Sequence, residues 1–156
     1  MPRSNSSSLL LKILVLAAYV AIFFFLISSL WGLLWFAVGA VCGVALLIFD
    51  EAYGRQWYQE KGEQPFLVSR SPLFLLSLIP LSVMVLTSIG NAWASGLVGG
   101  MTLWLLLEMM ELRADPAVFD ARFLPTIKGE VSSQTIHMML LIGWTFFALL
   151  HIMVIL

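Results

Sequence analysis

Five long apolar runs, separated by polar breaks, organise the chain. They cover about Ile13 to Leu30, Leu33 to Phe49, Leu73 to Ile89, Ala92 to Leu107 and Ile136 to Leu156. A helix needs roughly 20 mainly apolar residues to cross about 30 Å of hydrocarbon. The runs are continuous rather than alternating at every second residue, which favours spanning helices over barrel strands. The pattern predicts an all-α polytopic bundle of five transmembrane spans, a single membrane domain over residues 1–156.

Two polar stretches remain, Asp50 to Ser71 and Arg113 to Gln134. At about 22 residues each, both fall short of the usual floor of about 50 residues for a domain. No soluble catalytic module is expected, so function must come from the helices and these two loops. The basic head at Arg3 and the serines to Ser8 resemble the start of a secretory signal. The following apolar run is longer than a signal core and lacks a small-residue cleavage site, so a retained signal anchor is expected.

Composition sharpens the membrane reading. The chain is 61% apolar and 11% charged, against about 45–50% and about 25% for ordinary globular domains. A lone Cys42 excludes a disulfide scaffold. A net charge of -1 provides no basic field for nucleic acid. The chain carries no G-x-S-x-G, H-E-x-x-H, P-loop or paired-Cys motif, so no enzyme is predicted.

Five spans put all eight basic residues on one side: Arg3, Lys12, Arg55, Lys61, Arg70, Arg113, Arg122 and Lys128. The positive-inside rule then places the N-terminus and both long loops in the cytoplasm, the C-terminus outside, and the protein in a plasma or inner membrane. Trp31 and Trp93 suit the outer interface; Tyr53, Trp57 and Tyr58 suit the inner one.

Lipid gives helices no hydrophobic reason to associate, so small residues that permit close approach are candidate contact points. The second span has Gly39 and Gly43, and the fourth Gly96, Gly99 and Gly100. The spacing fits packing within the chain or in a homo-oligomer. Pro80 predicts a kink in the third span, with Ser77, Ser82, Thr87 and Ser88 at hand for freed backbone groups. A faint repeat joins the two hairpins. Gly39 and Gly43 match Gly96 and Gly100 at one offset, and Lys-Gly-Glu recurs at 61–63 and 128–130 at a larger one.

In the loops, helix is expected to continue from Asp50 to Lys61 and stop at Gly62. Asp115 and Pro116 should start a short helix with Phe119 and Phe123 lying down on the membrane. Ser132 or Ser133 should cap the last span.

Candidate chemistry is sparse. Asp50, Glu51, Glu108, Glu111 and His137 share the inner end and form a candidate ion, proton or metal cluster. Arg55 and Arg113 are close enough in sequence to neutralise it. His151 is an ionisable group inside the last span and a candidate intramembrane site. His137 and His151 stand about four helical turns apart and nearly on one face, as two stacked haems would need. Each haem would require a second histidine that only a symmetric dimer supplies, so no cofactor is predicted. The expected function is a non-enzymatic accessory or scaffold subunit that packs with itself or with a membrane partner. The alternatives are a small oligomeric transporter or channel using the acidic cluster and, more weakly, a haem- or metal-binding electron carrier.

Overall fold

A computed structural model of the chain describes residues 6–24, 29–61, 67–87, 91–125 and 131–155. The side chains of Arg55, Trp57, Tyr58 and Lys61 lie outside that description. So do Arg3, Ser88, Gly62 and the remainder of both Lys-Gly-Glu segments. The described residues form six α-helices and one 3-10 turn, with no strand among them. They are α1 (Ser6–Phe24), α2 (Leu30–Lys61), α3 (Pro72–Thr87), α4 (Ala92–Leu112), α5 (Pro116–Phe123) and α6 (Ser133–Ile155); the 3-10 turn is Val68–Arg70.

Three helices are long and apolar enough to cross a membrane: Leu30–Gly54 within α2, Ala92–Leu112, and Ser133–Ile152 within α6. They mark the chain as a helical membrane protein. The apolar stretches Ser7–Phe23 and Pro72–Thr87 are shorter. Large apolar side chains on α1, α2, α3 and α6 stand exposed, among them Leu11, Val41, Leu76, Met84 and Leu141. Outward apolar faces of this extent suit lipid as the surrounding solvent.

The capping expectations hold. Asp115 Oδ1 accepts from the Val118 amide at 3.2 Å and Pro116 follows at the first helical position. Ser132 Oγ accepts from the Thr135 amide at 3.2 Å. Asn91 caps α4 by accepting from the Ala94 amide. Helix continues from Asp50 to Lys61, so α2 has 32 residues and a length of about 48 Å, well beyond the hydrocarbon thickness.

α3 runs unbroken through Pro80. Its hydroxyls do not serve the carbonyl of Leu76, the one that loses its donor to the proline ring. Ser77 bonds the Phe74 carbonyl, Ser82 that of Leu78 and Thr87 that of Val83.

The central pair is α2 with α4, the most extensive contact in the molecule. Gly39 faces the backbone of Trp93 and Leu97, and Gly43 faces Leu97 and Met101. The numbering rises together, so these helices run parallel. A methyl group at Gly39 would overlap the Trp93 carbonyl oxygen, and one at Gly96 that of Phe36. The helices therefore touch backbone to backbone, which only glycine permits. Gly99 turns away from α2 and faces the Tyr19 hydroxyl of α1.

The other long helices run the opposite way. Lys12 lies beside Glu111 and Tyr19 beside Gly99, so α1 is antiparallel to α4. Arg70, just before α3, meets Glu108, while Val85 meets Ser95. Gly143 of α6 faces Leu106, and farther along α6 His151 reaches Tyr19. α4 is the hub, buried almost continuously from Gly96 to Met109.

The second loop departs from expectation. Phe119 and Phe123 do not lie on a membrane surface: both are 0% exposed, packed in a cluster with Leu47, Leu105 and Ile136. Docking against the bundle end covers both rings, whereas the interface would cover one side.

Gly96→Val should lower the melting midpoint of the detergent-purified protein by several degrees, because the added atoms meet the Phe36 backbone. Gly143→Ala meets only the tip of the flexible Leu106 side chain and should shift the midpoint by less than about 2 °C.

Candidate functional site

One end of the bundle gathers four charges into a ring. Its foundation is the segment Leu67–Ser71. Ser71 Oγ donates to the Val68 carbonyl at 2.8 Å and accepts from the Phe74 amide at 3.3 Å, joining the turn to the first turn of α3. Asp50 at the end of the apolar part of α2 accepts from the Ser69 amide at 3.0 Å and from the Ser69 hydroxyl. These bonds aim Arg70 inward, where it is 1% exposed.

Arg70 is held through all three of its nitrogens. Nε donates to both Glu108 oxygens at 3.1 and 3.2 Å. One terminal nitrogen donates to the Leu47 carbonyl at 3.2 Å and to Ser69 Oγ at 3.1 Å. The other lies 2.9 Å from Glu51 Oε2 and 3.1 Å from Glu108 Oε2. A guanidinium carries five such hydrogens, and four acceptor groups, Glu51, Glu108, the Leu47 carbonyl and Ser69 Oγ, surround this one.

Arg122 closes the ring from the other side. It is brought there by α5, whose Phe119 and Phe123 are buried on the bundle. Arg122 donates to Glu51 Oε2 at 2.8 Å and to Glu108 Oε1 through two nitrogens. Both guanidiniums thus touch both carboxylates. Burial works to lower the pKa of Arg122, but the charges of Glu108 and Glu51 outweigh it and hold the pKa above the ordinary guanidinium value.

The five residues expected to cluster separate into four settings. Glu51 and Glu108 enter the ring. Asp50 holds the Ser69 turn. Glu111 pairs with Lys12 of α1 at 2.5 Å, and that ammonium stands 5.7 Å from the centre of the Trp104 ring. His137 is exposed and bonds back to the Ser133 carbonyl at 2.6 Å. Arg113, expected as a neutralising partner, is exposed; the ring partners are Arg70 and Arg122. No three His, Cys, Asp or Glu side chains among the described residues converge to hold a metal ion. Carboxylates held by guanidiniums present positive neighbours where a metal would bring its own charge.

Farther along the bundle, His151 is bonded at both nitrogens. Nδ1 lies 2.6 Å from the Phe147 carbonyl and Nε2 2.8 Å from the Tyr19 hydroxyl. A neutral ring that donates from Nδ1 and accepts at Nε2 satisfies both contacts. Phe23 and Phe147 pack edgewise and obliquely on the imidazole. The pair ties α1 to α6, and the nitrogen that an axial haem ligand would use is occupied by tyrosine.

Four participants escaped the sequence reading: Arg70, Arg122, Tyr19 and Lys12. One signal was present for Arg70, which stands just before the third apolar run and so at the depth of the acids. The docking of α5 is a tertiary event that no local pattern marks for Arg122.

Removing one partner of a buried ion pair strands the other charge and costs about 3–5 kcal/mol. Arg70→Ala should therefore abolish a cooperative melt or lower its midpoint by about 6–15 °C. Arg113→Ala, at an exposed position, should change it by no more than about 2 °C. Compared with protein-family models, with curated proteins and with solved structures, the chain has no match.

Proposed function

We propose that the chain crosses the bilayer five times, through α1, α2, α3, α4 and α6, and serves as a non-enzymatic accessory or scaffold subunit of a plasma or inner membrane. The N-terminus and both long loops face the cytoplasm. Support for the five crossings comes from helix direction. Two parallel spans, α2 and α4, need a return path between them, and α3 supplies it even at 16 residues. α1 and α6 run antiparallel to that pair, which fits an odd number of crossings. Orientation rests on the basic residues all falling on one side.

The observation that carries the scaffold reading is the closed ring of Glu51, Arg70, Glu108 and Arg122. Its charges sum to zero and they bind one another. They fasten the segment before α3 and the segment after α4 to α2 and α4. Such a ring makes a firm cytoplasmic face for a partner to rest on. Gly39 and Gly43 of α2 are already engaged with α4, so a membrane partner would meet the outward apolar faces instead.

A second reading is a small oligomeric transporter. It draws on the partial exposure of Arg122 and Glu51, 24% and 22% at the side chain, which leaves one flank of the ring open.

Purification in mild detergent followed by mass spectrometry should recover a stoichiometric membrane partner. A lone homo-oligomer, with flux in proteoliposomes that Glu108→Gln abolishes while the protein stays folded, would replace the scaffold by the transporter. Tags on the two termini should be accessible from opposite compartments; access from the same side would end the five-span arrangement.

A further inference from the structure

The contact between α2 and α4 is reciprocal to the residue. Gly39 faces the carbonyl of Trp93, and Gly96 faces that of Phe36. Gly43 faces the carbonyl of Leu97, and Gly100 that of Ala40. One offset in numbering relates every pair of mates: Gly39 with Gly96, Phe36 with Trp93, Gly43 with Gly100 and Ala40 with Leu97. The relation continues beyond the crossing. Glu51 and Glu108 keep the same offset, and they meet in the ring, where the same two arginines hold both. Between 36–51 and 93–108 the identical mates are Ala37 and Ala94, Gly39 and Gly96, Val41 and Val98, Gly43 and Gly100, Leu46 and Leu103, and Glu51 and Glu108. Arg70 and Arg122 have a slightly shorter offset, and each arrives from the segment that follows its hairpin.

An interface in which one residue meets another, and their mates meet in turn, has the form of a two-fold contact between copies. We infer that the chain is an internal duplication. A helical hairpin completed by one glutamate and one arginine occurs twice, as α1–α2 with Glu51 and Arg70, and as α3–α4 with Glu108 and Arg122. A pseudo-two-fold axis runs between α2 and α4 and through the ring, in the manner of parallel membrane repeats; α1 departs from it, since Tyr19 meets Gly99 of α4 whereas its mate Leu76 in α3 stands exposed. The surface joining the halves is one that recognises a second copy of the same hairpin. α6 lies outside the repeat and is an addition to it. The neutrality of the ring follows, since each half supplies one charge of each sign. The larger offset of the Lys-Gly-Glu segments reflects loops of unequal length outside the repeated core.

Contacts and offsets alone carry the duplication, independently of the proposed function. Two unrelated helices crossing at glycines would also touch locally, but their side chains would not be exchangeable across an axis. The test uses the full-length protein in detergent and reads its melting midpoint. Ala40→Leu crowds the backbone contact at Gly100 and Leu97→Ala removes a partly buried side chain packed on the core; each should lower the midpoint by about 4 °C or more. Combined, they exchange mates across the axis and should regain more than half of the summed loss. Val44→Met with Met101→Val is a gentler exchange of two buried mates and should behave likewise, which keeps the test decisive if Ala40→Leu does not fold. Ala40→Leu with Met101→Ala joins interface residues that are not mates and should regain nothing. Exchanges that melt at or below the sum of their single losses, or equal recovery by the mismatched pair, overturn the duplication.

Discussion

A guanidinium 1% exposed at the end of a helical bundle sets the terms for everything around it. Taking a charge out of water costs several kcal/mol even after the protein relaxes. That cost is offset only if every hydrogen and the net charge find partners. The local structure answers the requirement part by part. The 3-10 turn supplies Ser69, the last apolar turn of α2 supplies the Leu47 carbonyl and Glu51, and the C-terminal part of α4 supplies Glu108. Two glutamates against one arginine would leave an excess negative charge. Arg122 cancels it, and so α5 must dock where it does.

Docking of α5 also shows how charge and apolar packing share one task. Phe119, Arg122 and Phe123 fall on neighbouring positions of a two-turn helix. The rings enter the apolar cluster beneath, and the arginine reaches the carboxylates beside it. Without the rings, so short a helix would have little to hold it, since short helices are marginal by themselves. The same division appears at a part-buried polar pair, where Tyr19 and His151 bond one another beside phenylalanines.

Much of this was legible in the sequence, for identifiable reasons. Helices announce themselves by apolar length, so the long elements, the Asp115 cap and the extension of α2 past Asp50 could all be read. The apolar pattern puts the boundary between the first two helices too late, because it runs on through Leu30, where α2 already begins. The acids were legible as a set because they close the apolar stretches of α2 and α4. Their partners were not, since Arg70 lies 38 residues from Glu108 and only the folded chain brings them together. For the rings of α5, a period of four says that Phe119 and Phe123 share a face, but not whether lipid or protein receives it.

Glycine plays a narrower role than its spacing suggests. Of the five glycines in the two central helices that sequence spacing singles out, four bring backbones together and one, Gly99, makes room for a tyrosine hydroxyl. Lipid would cover exposed apolar side chains as well as protein does. Backbone contact is what gives α2 a reason to prefer α4, and it fixes the axial register that puts Glu51 level with Glu108.

The order of the ring residues along the chain has a consequence for synthesis. Chains are made from the N-terminus, so Glu51 emerges first, then Arg70, Glu108 and Arg122. The signs alternate, and the running total at this spot goes from minus one to zero, then to minus one and back to zero. A nascent bundle therefore never has to shelter more than one unmatched ring charge while it waits for the ribosome to deliver the next.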